Sequence, residues 1–582
     1  MTAAVQPSLL HSVVCLTGQR RQDLAVAEAA RAGRFTHAGL TLTLGRRPDW
    51  LHAGQADDEE WRIEWVKLYE GLDLAHAFVH TGEPGFLRTW EDLVESFCDQ
   101  VPADYDSTDV TARRLQNWLY AWQGFATAPA YDGLRPGLAD RLLRRIDADA
   151  LHIAEHLTTE RNHRTLELYS LFLVGLALGD DARAEQALAL LTDNACTDIW
   201  DDGVHRECST DYHMIVLRSL VGAVANARAA GRSVPDALLD RVHRGCDVAL
   251  HVQRPDGITP ALSDGDPDDF RDLLATAADL LDRPDLAWAA SRGTKGMPPR
   301  DRSVSFPVGG YHVQRSGWGD RGRGYAEERF GVFDCGPLGD GGHGHYDQLS
   351  VELYGAGSPL VVDPGRYTYA DNCLRHWFKG TAGHNTVCVD DLDQTPYRPG
   401  KPRGQVSTAR LLGRWTGPGL DVLCGRVSSP AYDAVHTRTV AFVRDDYWIV
   451  HDRLRAATPH RYAAHWHLGA DAEGSTTLHA EPAQTVVRAP AGQLVVPAGF
   501  GAVALTGGWV SPEYGVKLPA PIVAVRADGR GDADIVTVLL PGTELADVVA
   551  ARSGAQTEVR VSRPDGTDVV RLSDCAPELS SC

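Results

Sequence analysis

Two histidines and an aspartate stand at alternate positions in a glycine-rich segment near the middle of the chain. The segment reads Gly-Asp-Gly-Gly-His343-Gly-His345-Tyr-Asp347. Alternate residues of a β-strand point to the same face, so a strand here would place the three side chains together. Imidazole and carboxylate groups can transfer protons or bind a borderline metal ion such as zinc. The segment is therefore a candidate catalytic or metal-binding site.

Two later segments supply further groups for such a site. Asp363 ends an apolar run just before a Pro-Gly turn, and His384 with Asn385 precedes another apolar run at residues 386–389. Apolar runs bounded by turn residues are typical of strands. Two imidazoles and one carboxylate at strand ends suit zinc. Loop histidines that only form hydrogen bonds are the alternative interpretation.

Two polar segments in the N-terminal half also carry side chains able to do chemistry. The first includes Asn162 and His163, directly ahead of an apolar helical pattern, and the second runs from Asp202 through Glu207 to Tyr212. An asparagine at a helix start is commonly an N-cap, and a tyrosine after a polar loop commonly packs half-buried. These structural roles are the alternative to catalytic ones.

The order of these segments resembles that of the heparinase II/III-type polysaccharide lyases. The resemblance covers roughly residues 35–470 and rests on the His-x-His-x-Asp, Asp-Pro-Gly and Thr-Ala-Gly-His-Asn segments and on the two polar loops. It implies that His343 is catalytic and that one structural zinc ion is held by His345, Asp363 and His384. It also implies active-site roles for the earlier residues, with Glu207 supporting its loop. Asp347 is predicted to orient a histidine, and a simple loop carboxylate is the alternative. Those earlier residues are Asn162, His163 and Tyr212.

β-Elimination from a uronic acid explains why these residue types would be needed. A base removes the proton next to the carboxylate, charge builds on the carboxylate oxygens, and the glycosidic oxygen leaves from C4. Asn162, assisted by His163, would stabilise that charge. Tyr212 can be both base and acid when proton and leaving group lie on the same side of the ring. When they lie on opposite sides, His343 would be the base and Tyr212 the acid.

Five residues are candidates for substrate binding. Arginine pairs with carboxylates and sulfates, and aromatic faces stack on sugars. The candidates are Arg113, Arg114, Trp118, Tyr120 and Glu207.

The periodicity of apolar residues, which indicates the elements that position these groups, changes near residue 298. Before it, apolar residues recur at helical spacing with short breaks, which predicts packed helix hairpins. After it, short alternating runs with turn signals predict an antiparallel β-sandwich or stacked sheets. The predicted helices are 61–82, 86–97, 110–124, 137–157, 165–178, 182–194, 212–230, 235–252 and 270–281. The main predicted strands are 311–315, 329–334, 349–354, 386–389, 440–443, 448–450 and 462–468.

These patterns predict an α+β multidomain protein. The family resemblance implies that the helices form an incomplete (α/α) toroid. We predict a helical domain at 1–298, a β-sandwich with the metal site at 299–470, and a small β region at 471–582.

Composition limits the classes of function. A chain of 582 residues is too long for one core, and 43% apolar with 23% charged residues is typical of soluble proteins. No run approaches the roughly 18 apolar residues of a membrane span. A net charge of −21 argues against nucleic acid or anionic membrane as partners. An anionic oligosaccharide is compatible with this net charge, because a pocket in an acidic protein can be locally positive.

Cysteine usage and the N-terminus predict a cytoplasmic protein. Eleven cysteines are scattered without a Cys-x-x-Cys pair, and no positive charge precedes the short apolar stretch near the N-terminus. A cytoplasmic location favours exolytic cleavage of short oligosaccharides. The oligomeric state is open, a homodimer included.

The sequence thus favours a lyase that cleaves uronate glycans by β-elimination and leaves a C4–C5 double bond. One alternative is a lyase-fold enzyme acting on a small metabolite. Another is a glycoside hydrolase using Glu207 with Asp264 or Asp266, which leaves Asn162 and Tyr212 unexplained. A carbohydrate-binding protein without activity is the third.

Overall fold

The computed structural model describes residues 22–52, 59–398, 404–529, 531–554, 556–573 and 577–581. The chain divides into two compact units. Unit 1 comprises Met1–Ile199 and Met214–His243, and unit 2 comprises Trp200–His213 and Arg244–Cys582. Across the described ranges, no helix is long and apolar enough to cross a membrane. The predicted division after residues 298 and 470 stays a prediction.

Unit 1 is built mainly of helices, as the periodicity predicts. Alternate helices α3, α5 and α7 contact one another in series, while α4, α6 and α8 each pack beside one of them. The bounds are α1 Leu24–Arg31, β1 Arg34–His37, β2 Leu40–Thr43, α2 Glu60–Val66, α3 Glu70–Thr81, α4 Pro84–Gln100, α5 Thr108–Thr127, α6 Leu138–Glu155, α7 Arg161–Leu178 and α8 Asp181–Asp198. Helix α9 (Thr210–Ala229) begins in unit 2 and continues in unit 1, and α10 (Asp236–Val252) runs the other way.

The predicted helix 61–82 is two helices, α2 and α3. The chain turns between them at Leu68, whose φ of 57° is left-handed and ends a helix. The carbonyl of Lys67 at this break accepts a hydrogen bond of 2.9 Å from the Asn117 side chain. Helix α7 begins four residues earlier than predicted, so Asn162 and His163 lie in its first turn. Tertiary contacts therefore decide both boundaries.

Unit 2 contains the antiparallel sheets. Its helices are α11 Arg271–Leu281, α12 Pro284–Ala290 and α13 Cys373–Lys379. Its strands are β3 Val304–Phe306, β4 Tyr311–Arg315, β5 Phe330–Asp334, β6 Val351–Gly355, β7 Ser358–Val361, β8 Val387–Val389, β9 Thr408–Gly417, β10 Leu420–Ser428, β11 Val435–Val443, β12 Tyr447–Arg455, β13 His460–His467, β14 Thr477–Ala480, β15 Gln484–Ala489, β16 Gly492–Pro497, β17 Ala502–Glu513, β18 Val516–Gly529, β19 Ala533–Pro541, β20 Asp547–Ser553, β21 Gln556–Arg563, β22 Gly566–Leu572 and β23 Glu578–Ser581.

The central layer of unit 2 is an eight-stranded sheet of order β14-β15-β16-β19-β12-β11-β10-β9. Because strand side chains alternate, Val440 and Phe442 of β11 enter one core while Ala441 and Val443 enter another. The first core is shared with the five-stranded sheet β3–β7 and the sheet β17-β18-β13-β8. The second is shared with the C-terminal sheet β20–β23. The predicted stacked sheets are confirmed: two sheets cover one face of the central sheet, and the C-terminal sheet covers the other.

Candidate active site and metal centre

His343 and His345 lie in a loop, and the predicted strand at this position is wrong. Strand β5 ends at Asp334 and β6 begins only at Val351. The two imidazoles come together because both form hydrogen bonds to one carboxylate, that of Asp264. The loop therefore places the two imidazoles close together without the alternation of a strand.

Backbone contacts fix this loop on both sides of His343. The ammonium of Lys379 donates to the carbonyl of Gly342 at 2.5 Å, and the amide of Asp264 donates to the carbonyl of His343 at 3.1 Å. The amide of Tyr346 in turn donates to the carbonyl of Lys379 at 2.9 Å. Burial lowers the pKa of Lys379 to about 8. The loop is held by buried polar contacts rather than by strand pairing.

Asp264 is the buried centre of the site, with 0% of the residue exposed. Its Oδ2 lies 3.1 Å from Nδ1 of His343, and its Oδ1 lies 2.9 Å from Nε2 of His345. Arg375 donates to both oxygens. Burial by itself would raise the pKa of Asp264, but Arg375 and Lys379 hold it well below its usual range. Asp264 is therefore ionised and accepts from every neighbour.

Tyr212, the third residue of α9, lies directly against His343. The two rings stack with their centroids 3.9 Å apart, and the Tyr212 hydroxyl lies 2.9 Å from the hydroxyl of Tyr369. Burial, reinforced by Tyr369, raises the pKa of Tyr212 well above its ordinary value. The Tyr212 hydroxyl therefore carries its proton at neutral pH.

A hydrogen-bond chain leads from Arg366 to Tyr212. Arg366 Nη1 lies 3.0 Å from the Tyr369 hydroxyl, and the guanidinium is also paired with Asp266 at 2.7 Å. Asp211 lies 3.4 Å from the same Nη1. Arginine can only donate, so Tyr369 accepts from Arg366 and can donate its own proton to Tyr212. This order of donors would stabilise negative charge on the Tyr212 oxygen.

Glu207 faces the other nitrogen of His343. Its Oε1 lies 3.8 Å from Nε2 of His343, and its Oε2 lies 3.8 Å from Nδ1 of His205. Only 1% of the residue is exposed. Glu207 is therefore a buried carboxylate beside Nε2 of His343.

His345, Asp363 and His384 form a compact set of metal-binding atoms. One nitrogen or oxygen from each lies within 4.8 Å of the others, and all three residues are buried. The amide of Asp363 is fixed by a 3.1 Å hydrogen bond to Glu352. Asn385 ties the neighbouring backbone by donating to the carbonyls of two other segments.

The hydrogen bonds of the two histidines direct one nitrogen of each ring toward this set. Nε2 of His384 must donate to the carbonyl of Phe378 at 2.9 Å, and its Nδ1 lies 3.0 Å from Asp363 Oδ2. Nε2 of His345 faces Asp264, and within the described ranges its buried Nδ1 has no hydrogen-bond partner. Burial lowers the pKa of His384, but Asp363 and Asp347 outweigh it and raise it to about 9. A cation between these atoms, a proton or a metal ion, satisfies them.

Comparison with known proteins matches almost the whole chain to one family. The model of the heparinase II/III N-terminus matches residues 20–284, and the model of the heparinase II/III-like C-terminal region matches residues 298–562. The chain belongs to the heparinase II/III-like family.

Individual relatives are distant. A heparin-sulfate lyase of Pedobacter heparinus is 22% identical over 453 residues, which cover 73% of this chain and 65% of that enzyme. A heparin-sulfate lyase of Bacteroides thetaiotaomicron is 23% identical over 45% of this chain and 39% of its own length. The chain thus spans less than two thirds of either relative. A crystal structure of heparinase III has a TM-score of 0.79 at 15% identity, covering 96% of this chain and 92% of that one. This similarity shows the toroid and sheet fold.

The two heparinase-like residues of unit 1, Asn162 and His163, lie in the first turn of α7. Asn162 is buried, whereas half of the His163 side chain is exposed, with Nε2 3.8 Å from Asp109. Arg161 just before them has a left-handed φ of 74°, a strained conformation that is common at functional sites. The catalytic roles of Asn162 and His163 stay predictions.

The predicted substrate-binding residues of α5 are buried within unit 1. Arg114 is fully buried, pairs with Asp106 at 2.7 Å and lies 6.0 Å from the ring of Trp118, which is also fully buried. Packing within unit 1 explains both residues without a substrate. All four are at most 7% exposed: Arg113, Arg114, Trp118 and Tyr120.

Sequence reasoning gave four residues of this candidate site no role in the lyase reaction. The segment around Asp264 stands out in the sequence, but nothing local assigns it chemistry. Ser263 before it has a left-handed φ of 63°, which the residue type does not reveal. The four residues are Asp264, Arg366, Tyr369 and Arg375.

Proposed function

We propose that this protein is a lyase that cleaves uronate-containing glycosaminoglycan chains by β-elimination. The observation that carries the proposal is the stacked pair of Tyr212 and His343, each with a partner that prepares it for proton transfer. Asp264 holds His343, and Tyr369 contacts Tyr212. The similarity to heparin-sulfate lyases supports heparan-type chains as the first substrates to test.

The protonation of the pair indicates how the reaction divides between the two residues. The Asp264 carboxylate fixes a proton on Nδ1 of His343, which leaves the Nε2 lone pair as a base for the C5 proton. The C5–H electron pair becomes the C4–C5 double bond as the C4–O bond breaks. Tyr212 then gives its proton to the leaving oxygen. This division fits iduronate, where the proton and the leaving oxygen lie on opposite faces of the ring.

Glucuronate would require a different route, because its C5 proton and C4 oxygen lie on the same face. Tyr212 would then have to be deprotonated first and act as both base and acid. The chain from Arg366 through Tyr369 would stabilise the phenolate in that state. Rates on defined glucuronate and iduronate tetrasaccharides would distinguish the routes, since His343→Ala should impair iduronate cleavage more.

The first experiment is ultraviolet absorbance of the unsaturated product. Heparan sulfate, chondroitin sulfate and alginate oligosaccharides are incubated with wild type, Tyr212→Phe and His343→Ala. Each variant should lose about 10²–10⁴-fold in kcat. Tyr105→Phe, at a largely exposed tyrosine, is the matched control and should retain activity. Product length then tests exolytic action, which we include in the proposal.

A flat absorbance trace with new reducing ends would refute elimination and favour the hydrolase. That alternative has little structural support. The carboxylate of Asp264 is engaged by Arg375 and two histidines, and Asp266 is paired with Arg366. Elimination on a small metabolite would be favoured if no oligosaccharide reacted and a small uronate did.

We also propose that one structural zinc ion is held by His345, Asp363 and His384. Two imidazole nitrogens and one carboxylate, all buried and within 4.8 Å of one another, match the ligands that zinc prefers. The ion would lock the loop that carries His343 without taking part in proton transfer. Its removal is tested below through stability.

A further inference from the structure

The hairpin β17–β18 contacts the segment that carries Arg366 and Tyr369. The amide of Gly515, at the turn of the hairpin, donates to the carbonyl of Tyr367 at 2.8 Å. The amide of Tyr369 donates to the Tyr514 hydroxyl, also at 2.8 Å, and the two rings lie 5.4 Å apart. The hairpin therefore adjoins the proposed catalytic residues within unit 2.

Lys517 of this hairpin carries a positive charge that is not neutralised locally. Its ammonium lies 3.6 Å from the ring centre of Trp509 and 5.8 Å from that of Tyr367. In the part of the chain that the structure describes, no carboxylate forms an ion pair with it. Arg366 and Arg375, by contrast, are each paired with an aspartate.

The backbone at Tyr367 is strained. Its φ is 58°, in the left-handed region, and the amide of Thr368 donates to the carbonyl of Arg366 at 2.7 Å, as in a tight three-residue turn. This conformation is unfavourable for a bulky side chain and is most common at ligand-binding and catalytic sites. The ring is partly exposed and stacks on Phe378. The turn brings Tyr367 beside Lys517 while directing Tyr369 toward Tyr212.

We propose that Lys517, Trp509 and Tyr367 form a subsite for a negatively charged sugar residue of the substrate. Aromatic rings pack on the apolar faces of sugars, and lysine supplies a point charge for a carboxylate or sulfate. The hydrogen bonds of Tyr369 to Tyr514 on one side and Tyr212 on the other connect the subsite to the reacting groups. This inference rests on the proposed lyase function. It adds that the substrate carries a second negatively charged group, on a sugar residue other than the uronate that is cleaved.

The test compares Lys517→Met with Lys295→Met. Methionine keeps the aliphatic stem and removes the charge, and Lys295 is an exposed lysine in the segment after α12. With heparan sulfate oligosaccharides, Lys517→Met should raise KM about 10-fold or more, the loss expected for a charged contact, and leave kcat within about 2-fold. Lys295→Met should match wild type. Equal KM values in the two variants would overturn the subsite.

Binding measured without turnover separates this inference from the lyase proposal. Calorimetric titration of the full chain with a heparan sulfate tetrasaccharide should give an affinity that Lys517→Met weakens and Lys295→Met does not. That result would support the subsite even if no unsaturated product formed. Absence of binding to wild type, or equal affinity of both variants, would refute the subsite even if elimination occurred. A desulfated tetrasaccharide distinguishes the ligand group, because a persistent effect of Lys517→Met assigns the contact to a carboxylate.

Discussion

At the scale of single residues, the carboxylate of Asp264 determines what His343 can do. An acceptor at Nδ1 keeps the proton there and fixes the plane of the ring. The same carboxylate fixes His345, whose other nitrogen faces the proposed zinc site. One buried aspartate therefore orients both the proposed base and a proposed metal ligand.

Asp264→Asn should reduce kcat about 10²-fold, because an outer-shell carboxylate that orients a histidine is typically worth 10–100-fold. KM should change little, since no role of Asp264 in substrate binding is invoked. Steady-state kinetics on the substrate found in the absorbance screen measures both constants. Asp340→Asn is the control, because Asp340 is a half-exposed carboxylate that pairs with Arg206. An unchanged kcat in Asp264→Asn would show that His343 needs no such partner.

Residue-level prediction from sequence succeeds where a motif is local and fails where partners are distant. His343, His345, Asp363 and His384 stand in recognisable short segments, and the structure brings the last three together. Asp264 lies 79 positions from His343 and 111 from Arg375, so no local pattern joins them. The predicted one-face strand failed because the glycine-rich segment forms a loop.

At the scale of elements, a buried arginine joins the central sheet to the site loops. Arg438 of β11 lies opposite Asp452 of β12 and pairs with it, with Nε and Oδ1 2.6 Å apart. It also donates to the carbonyls of Leu349 and Asn385. Arg438 and Asp452 are fully buried. The segments beside the proposed catalytic and zinc residues therefore depend on this pair.

Arg438→Met should destabilise unit 2 by about 3–5 kcal/mol, because it removes the guanidinium that neutralises the buried Asp452 and leaves that carboxylate with the His436 imidazole. The expected fall in Tm is roughly 5–15 °C. Scanning calorimetry would measure it, with Arg410→Met as the matched control at an exposed position of edge strand β9. Equal Tm values for the two variants would show that the buried pair is dispensable.

His460, the first residue of β13, predicts a pH dependence of stability. A hydrogen bond of 2.6 Å from Nδ1 to Asp390 raises its pKa, burial opposes this, and Asp433 at Nε2 adds to it. The folded protein therefore holds this proton more tightly than the unfolded chain. The stabilisation is complete below about pH 6.5 and is lost as the pH rises through the raised pKa.

His460→Gln should therefore lower Tm more at pH 6 than at pH 9. High salt should reduce the difference, since Asp390 and Asp433 are partly exposed. His479→Gln, at an exposed histidine of β14, should show no such pH dependence. A Tm difference that is the same at both pH values would contradict the proposed proton linkage.

Element prediction worked where one face of the pattern is buried. Residues 462–468 are predicted as a strand and lie largely in β13, where buried and half-buried side chains alternate from Tyr462 to Trp466. The break at Leu68 was missed, since a left-handed φ at leucine has no sequence signal. Helix α13 is short and was also missed, although it carries Arg375 and Lys379.

At the scale of the whole molecule, stability should depend on the proposed zinc ion. A tight structural metal contributes about 4 kcal/mol when its concentration is 1,000 times its Kd. Chelation should then lower Tm by roughly 5–10 °C, and zinc but not magnesium should restore it. Elemental analysis should find less zinc in Asp363→Asn and His384→Ala, and chelator should not shift their Tm. A metal-free wild type with an unchanged Tm would refute the ion.

The overall architecture was predictable because the change from helical to alternating periodicity is abrupt. The low-specificity β segments expected after residue 470 are ten strands within the described part of that region, and several of them complete the central sheet. Strand β19 pairs with β12 from far along the chain, and β16 pairs with the other edge of β19. Pairing between such distant segments cannot be read from local alternation.

The second core of the central sheet has a consequence during synthesis of the chain. Val422, Ala441 and Ile449 on that face are covered by β20–β22, which contribute Val559 and Val570. A ribosome that adds about 5–20 residues per second synthesises β20–β22 some 5–30 s after β11 and β12. During this interval a nascent chain can present a broad apolar surface to other nascent chains. In a chain truncated before β20, this apolar face would stay uncovered. We expect such a chain to aggregate.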